Sequence, residues 1–118
     1  MTKKRFSIKD PQDYTVTLHE DTWQDHILDR HPEMSRHLED MKDTISDPDL
    51  IYRQPDLHPK SVVYMRTISQ EFNTSEYVIV AATRDEEKKR GYVKTAFSSG
   101  TSEPPDAEII WNRHEETS

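Results

Sequence analysis

The chain has 118 residues, which corresponds to one domain, since a domain takes roughly 100–200 residues. It contains no cysteine, which excludes disulfides, thiolate metal sites and a cysteine nucleophile. The longest apolar run, Tyr77–Ala82, is far shorter than the roughly 20 residues of a membrane-spanning helix. The basic start Met1–Arg5 is not followed by the apolar segment of a signal peptide. We therefore expect a cytoplasmic protein without membrane contact.

The charge of the chain argues weakly against a nucleic-acid partner. The net charge is −7, from 23 acidic and 16 basic residues, whereas a general phosphate-backbone binder is basic. The charge is uneven, because residues 14–49 carry −7 and residues 60–100 carry +2. We therefore expect any anion-binding surface to lie on the second half.

The N-terminal half predicts a flexible start over residues 1–13, then one strand and two helices. Alternation of apolar and polar residues over 14–18 indicates a half-buried strand. Asp21 begins a helix that ends near His31, because the proline that follows disfavours helical geometry in the residue before it. A second helix is predicted over 33–46 by one apolar stripe, which consists of Met34, Leu38, Met41 and Ile45.

The second half predicts strands, at residues 50–53, 61–68, 77–83 and 91–97, with a further edge strand at 107–111. Short polar links between neighbouring strands favour antiparallel pairing. We expect one α+β domain over residues 14–111, with two N-terminal helices packed on an antiparallel sheet of about four strands, followed by a flexible tail over 112–118.

Nucleotide-binding loops are excluded by the glycine content. Gly91 and Gly100 are the only glycines, so neither a dinucleotide fingerprint, a P-loop nor a nucleophile elbow can be written. His26, His31 and His37 lack the spacing that places two metal ligands on one helical face. We expect no metal and no cofactor.

Two histidines and two strands carry the candidate chemistry. His26 and His31 point about 140° apart if the helix continues, so we expect them to behave differently, with His26 structural and His31 open. Alternatively, His26 bonds a backbone carbonyl and His31 stabilises a helix end. On the strands, Tyr64 and Arg66 share one face, and Lys94 and Thr95 follow each other in a later strand. These side chains are candidates for a basic, hydroxyl-bearing floor that holds a phosphodiester. The alternative is a solvated lysine beside an ordinary β-forming threonine.

One motif string resembles a known family. Trp23-x-x-His26-Ile27-x-x-Arg30-His31-Pro32-Glu33-Met34 resembles the opening signature of the phage-associated Barnase–EndoU–Colicin–RelE-like (BECR-fold) nucleases. Further similar pieces follow over about residues 14–100: Thr44-Ile45-x-x-Pro48-x-x-Ile51, Tyr64, the apolar strand 77–80 and the strand 91–97, which contains Lys94-Thr95-Ala96-Phe97.

The resemblance implies a RelE/barnase-like fold and a metal-independent ribonuclease, a hydrolase of the kind found in phage proteins and toxins. It implies that His31, His26 and Thr95 are catalytic, and that Arg30, Tyr64, Arg66 and Lys94 bind substrate. RNA is the implied substrate, and an antitoxin or immunity protein is the implied protein partner. We expect Tyr64 or Arg66 from one strand and Lys94 or Thr95 from another to share a cleft beside the first helix.

Two other hypotheses remain open. The first is a catalytically inactive protein of the same fold that binds a basic partner through its acidic helices. The second is a related toxin family that pairs with a DNA-binding antitoxin, although that family has glycine where this chain has Pro32.

Overall fold

The computed structural model describes residues 3–56 and 59–113. Its main element is one seven-stranded sheet. The strands, in chain order, are β1 (Lys4–Lys9), β2 (Thr15–His19), β3 (Leu50–Arg53), β4 (Ser61–Glu71), β5 (Thr74–Asp85), β6 (Arg90–Ser99) and β7 (Glu108–Asn112).

The sheet is mixed, with strand order β1-β2-β6-β5-β4-β3-β7. Strands β3 to β6 form a consecutive antiparallel meander, and β1 and β7 are antiparallel edge strands. The exception is β2, which runs parallel to β6 and pairs with it only over Arg90–Tyr92. Beyond Tyr92, β6 pairs with β5 alone, so this part of β6 is open on its other side.

The helices connect β2 to β3 and begin beside that open part of β6. Helix α1 covers residues 20–30 and contains a π-helical turn at Trp23–Ile27. A 3₁₀ helix, Pro32–Arg36, follows, and helix α2 covers Leu38–Ser46. As predicted, the proline ends the first helix, because His31 has left helical geometry at φ −133° and ψ 70°.

Both faces of the sheet are covered by apolar residues. The main core lies under the helices and contains Val16, Leu18, Trp23, Ile27, Met34, Met41, Ile45, Ile51, Tyr64, Val78, Val80 and Ala96 among others. A smaller cluster on the opposite face consists of Tyr52, Val63, Met65 and Ile79, with Phe97 and Ala107 packed against it. Three members of the predicted helical stripe are fully buried, and Leu38 is half-buried.

The predicted fold class is wrong. Of the described residues, 49% lie in strands and 23% in helices, and they form a mixed seven-stranded sheet with two short helices instead of two helices on a four-stranded antiparallel sheet. Three features account for the difference. Residues 4–9, expected to belong to the flexible start, form β1; β2 joins the sheet in parallel; and the expected second helix is interrupted at His37, with φ −114° and ψ 19°.

The predicted strand positions are confirmed, although several strands are longer than expected. The strand predicted at 50–53 has the same bounds in the structure, and β4, β5 and β6 contain the predicted ranges 61–68, 77–83 and 91–97. The predicted tail begins at 112, where Asn112 still belongs to β7; residues 114–118 lie outside the described residues. Within the described residues, no helix is long and apolar enough to cross a membrane.

Candidate functional site

A β-bulge in β6 organises the candidate site. Val93 pairs with Ala82 and Thr95 pairs with Ala81, so Lys94 is left without a paired residue. A bulge bends a strand and redirects its side chains, and bulges are frequent beside active sites. The bulge lies in the open part of β6, immediately after the last residue that pairs with β2. Lys94 and Thr95 therefore lie at an edge that a ligand can reach.

His26 lines a cavity together with Lys94 and Thr95. This open cavity, here called the histidine cavity, has a volume of about 570 Å³ and is bordered by α1 on one side and β6 on the other. The His26 ring is half-buried and makes no hydrogen bond with the described residues. It projects from the π-helical turn, a rare distortion that occurs frequently at functional sites. Asp21 and Asp25 line the same cavity.

His31 lies beyond the end of α1, next to the same strand. Its ring packs against the Phe97 ring with centroids 5.5 Å apart, and its Nδ1 is 3.8 Å from a carboxylate oxygen of Glu33. The side chain is about one-third exposed. Of the two histidines, His26 therefore faces open space with no bond, and His31 is held between an aromatic ring and an acid. This arrangement is the reverse of the one expected from helix geometry.

A second cavity adjoins Lys94 and Thr95 on the sheet face opposite the helices. Its volume is about 220 Å³, and its walls come from β3, β4, β5 and β6. The Lys94 ammonium donates a hydrogen bond to Ser61 Oγ at 3.1 Å. An ammonium has three donors, so this one bond leaves capacity for a phosphate oxygen.

Tyr64 is not part of this site. Its side chain is fully buried under the helices, and its hydroxyl donates to Asp10 Oδ2 at 2.6 Å. Burial, and after it the Asp10 carboxylate, holds the pKa of the Tyr64 hydroxyl far above its ordinary value. Asp10 also accepts from the backbone of Gln12 and Tyr14 and from Arg84. Tyr64 belongs to a closed buried network.

Arg66 and Arg30 also lie apart from Lys94 and Thr95. The Arg66 guanidinium is bonded to the carbonyl and the carboxylate of Asp47, at the end of α2. Arg30 is exposed and makes no hydrogen bond or ion pair with the described residues. The cleft expected to combine Tyr64 or Arg66 with Lys94 or Thr95 is therefore not present among the described residues. Lys94 and Thr95 line a cavity beside the first helix, and neither Tyr64 nor Arg66 lines it.

Four further cations line a third cavity. This cavity of about 330 Å³ is lined by Arg53, Lys60, Arg84 and Arg90, with Tyr92, Asp85 and Glu86 among the remaining residues. Arg84 is already paired with Asp10 and packs over the Tyr14 ring at 3.8 Å. Arg90 and Lys60 are exposed. They form a positive surface on a chain that is acidic as a whole.

The described residues hold no group of three or more histidine, cysteine, aspartate or glutamate side chains able to hold a metal ion. Comparison with protein families, curated proteins and solved structures finds no match to the chain.

Sequence reasoning missed the lining of the second cavity and the direction of Lys94. Tyr52, Gln54 and Ser61 come from β3, the segment after it and β4, and no local pattern connects them to Lys94. Strict alternation places Lys94 on one face and Thr95 on the other, whereas the bulge lets both residues line both cavities. The Lys94-Thr95 dipeptide was the available signal, but the bulge itself has no sequence signature here.

Proposed function

We propose that this chain is an endoribonuclease that cleaves RNA by histidine acid/base chemistry at the open edge of β6. The observation that carries the proposal is the shared histidine cavity, in which His26 from α1 meets Lys94 and Thr95 from the β-bulge. The motif resemblance, which covers these same residues, supports it. The tertiary fold does not support the proposal, since the sheet is mixed and seven-stranded.

The chemistry requires two proton transfers and one cation. The 2′-oxygen attacks phosphorus, its proton passes to one group, the P–O5′ bond breaks, and a second group protonates the leaving O5′. Histidine titrates near neutral pH and suits both transfers, which we assign to His26 and His31. The Lys94 ammonium and the Thr95 hydroxyl stabilise the charge that develops on the phosphate. The products are a 2′,3′-cyclic phosphate and a free 5′-hydroxyl.

The carboxylates of the histidine cavity favour one position for the phosphate. Asp21 and Asp25 line its helical side and repel an anion there. Lys94 and Thr95 line its strand side and attract one. We therefore place the scissile phosphate against β6, with the His26 ring facing it across the cavity.

The test is cleavage of a single-stranded RNA by the purified chain in the presence of a chelator. We expect fragments that end in a 2′,3′-cyclic phosphate, and no cleavage of DNA of the same sequence, because DNA lacks the 2′-hydroxyl. A substrate with one 2′-O-methyl group at the cleaved position is the matched control and stays intact there. An absence of RNA cleavage under all conditions, or equal cleavage of DNA, contradicts the proposal.

A second function is supported by the acidic surface of α1. Asp21, Asp25 and Asp29 recur every four residues, and all three are exposed. Such a surface suits a basic protein partner, as a non-catalytic binding module would require. Salt-sensitive binding of a lysine-rich peptide, weakened by Asp25→Asn together with Asp29→Asn, would support this function in a chain that cleaves no RNA.

A further inference from the structure

The second cavity is small, apolar and placed directly beside the proposed phosphate position. Its volume of about 220 Å³ lies below the roughly 300–1,000 Å³ of sites for drug-sized molecules. Tyr52 and Phe97 supply aromatic surface, and Ala81 lies between the bulky residues of the sheet face. A cavity of this size and character suits one planar ring system.

Lys94 and Thr95 connect the two cavities. Both residues line the histidine cavity on one side and the aromatic cavity on the other. In a nucleotide, the phosphate and the base are separated by one sugar. A phosphate held by Lys94 and Thr95 therefore has one neighbouring base within reach of the aromatic cavity.

The cavity also has polar groups that can read the edge of a base. The Tyr52 hydroxyl stays protonated over the physiological range, because burial, followed by the charges of Glu103 and Asp106, raises its pKa. The Gln54 amide, which donates to Asp106 Oδ1 at 3.3 Å, and the Ser61 hydroxyl also line the cavity. Specific small-molecule sites usually combine apolar walls with a small number of polar groups.

We infer that the cavity lined by Tyr52, Ala81 and Phe97 binds one unpaired nucleobase of single-stranded RNA, next to the phosphate held by Lys94 and Thr95. This inference rests on the proposed function and adds the substrate class to it. A base that is paired in a duplex presents only its edges, whereas an unpaired base can leave the stack and lie against aromatic side chains. The site consequently selects single strands and prefers some bases over others.

The contact between Phe97 and His31 links base binding to the proposed chemistry. The Phe97 ring lines the aromatic cavity and packs against the His31 ring with centroids 5.5 Å apart. A base that fills the cavity presses on the wall that holds His31. The occupied cavity therefore positions the second proton-transfer group as well as the substrate.

The test uses the four nucleoside 3′-monophosphates, ribose 5-phosphate and inorganic phosphate as separate probes. Ala81→Leu fills the aromatic cavity and leaves Lys94, Thr95 and His26 in place. Since stacking of one base contributes about 1–3 kcal/mol, we expect the variant to bind the preferred nucleotide about tenfold or more weakly. Its affinity for inorganic phosphate stays unchanged. Thr83→Leu is the control, because it places a leucine on β5 two residues away, outside the aromatic cavity.

A measurement on the unmodified chain keeps the inference testable if Ala81→Leu does not fold. Titration with the preferred nucleotide should shift the NMR signals of the Ala81 methyl group and the Tyr52 ring, and ribose 5-phosphate should not. Base-dependent binding at these residues supports the inference even if the chain cleaves no RNA, which would overturn only the proposed function. Cleavage of RNA with all four bases equivalent and with Ala81→Leu as active as the parent overturns the inference and leaves the proposed function intact.

Discussion

Polar side chains cluster in two regions of this sheet, and the two regions differ in how completely these side chains are hydrogen-bonded. Around Asp10, a fully buried carboxylate accepts hydrogen bonds from the Tyr64 hydroxyl, from Arg84 and from two backbone amides. At the β6 bulge, the half-buried His26 ring makes no hydrogen bond with the described residues, and the Lys94 ammonium makes one. The first region is closed and satisfied; the second is open and has bonding capacity left.

The difference separates residues that stabilise the fold from residues that are available to a ligand. Buried polar groups destabilise a protein unless they are bonded, so a complete network such as that of Asp10 is a structural element. Polar groups that border an open cavity keep their donors and acceptors for another molecule. By this criterion Tyr64, a candidate for substrate binding, belongs with the structural residues. His26 and Lys94 belong with the residues that are available to a ligand.

Removal of the His26 side chain should have the largest effect, and it tests whether the open cavity is used in cleavage. His26→Ala should lower RNA cleavage by about 10²–10⁴-fold, the usual contribution of a positioned acid or base, and leave the midpoint of thermal unfolding near that of the parent. Asp29→Ala, on the same helix and outside the histidine cavity, should cleave RNA like the parent. Cleavage by His26→Ala at the parent's rate would remove His26 from the mechanism.

Loss of the buried acid should act on stability alone. Asp10→Ala leaves the Arg84 guanidinium, which is only 10% exposed, without its carboxylate, and removes the acceptor of two backbone amides. We expect the free energy of unfolding in urea to fall by about 3–5 kcal/mol. A variant as stable as the parent would show that the Asp10 network contributes nothing to the fold.

Tyr64→Phe tests how the buried Tyr64 hydroxyl contributes to the free energy of unfolding and to its pH dependence. At neutral pH the loss of the hydrogen bond from the Tyr64 hydroxyl to the Asp10 carboxylate should lower the free energy of unfolding by about 1–3 kcal/mol. The folded chain raises the pKa of Tyr64 above its unfolded value. Above about pH 10, the unfolded chain therefore loses this proton and the folded chain keeps it, and stability falls with rising pH by up to about 1.4 kcal/mol per unit.

Urea unfolding of both proteins between pH 9 and pH 11 measures this difference. The parent should lose stability more steeply than Tyr64→Phe, because the variant lacks the titrating hydroxyl. Tyr52, whose pKa is also raised, is present in both proteins and serves as an internal reference. Parallel pH profiles would mean that the Tyr64 hydroxyl titrates alike in the folded and unfolded chains.

The smallest expected effect is that of Arg66→Ala. Arg66 is partly exposed and paired with Asp47, so its loss should change the free energy of unfolding by about 0–1 kcal/mol. RNA cleavage should be unchanged, since Arg66 lines neither the histidine nor the aromatic cavity. A large loss of cleavage with unchanged stability would return Arg66 to the substrate-binding residues.

Local sequence patterns predicted most of the elements and part of the site. Alternation of apolar residues located β3 to β6, and the proline after His31 located the end of α1, because these signals act between residues close in the chain. The family resemblance pointed to His26, Lys94 and Thr95 as candidates, and the structure brings these three residues together around one cavity. The residue type alone did not show which tyrosine or arginine is occupied by a structural partner.

What the sequence determined by itself is the set of strands from β2 to β7, the apolar faces and the excess of positive charge over residues 60–100. Only the tertiary structure decided the parallel pairing of β2 with β6, the bulge at Lys94 and the burial of Tyr64 against Asp10. Each of these depends on partners distant in sequence: Tyr64 and Asp10 are 54 positions apart. Hydrophobic period and residue propensity determine the shape of a segment, whereas its partners follow from the packing of the whole chain. That packing separates the buried Tyr64 from the open edge of β6.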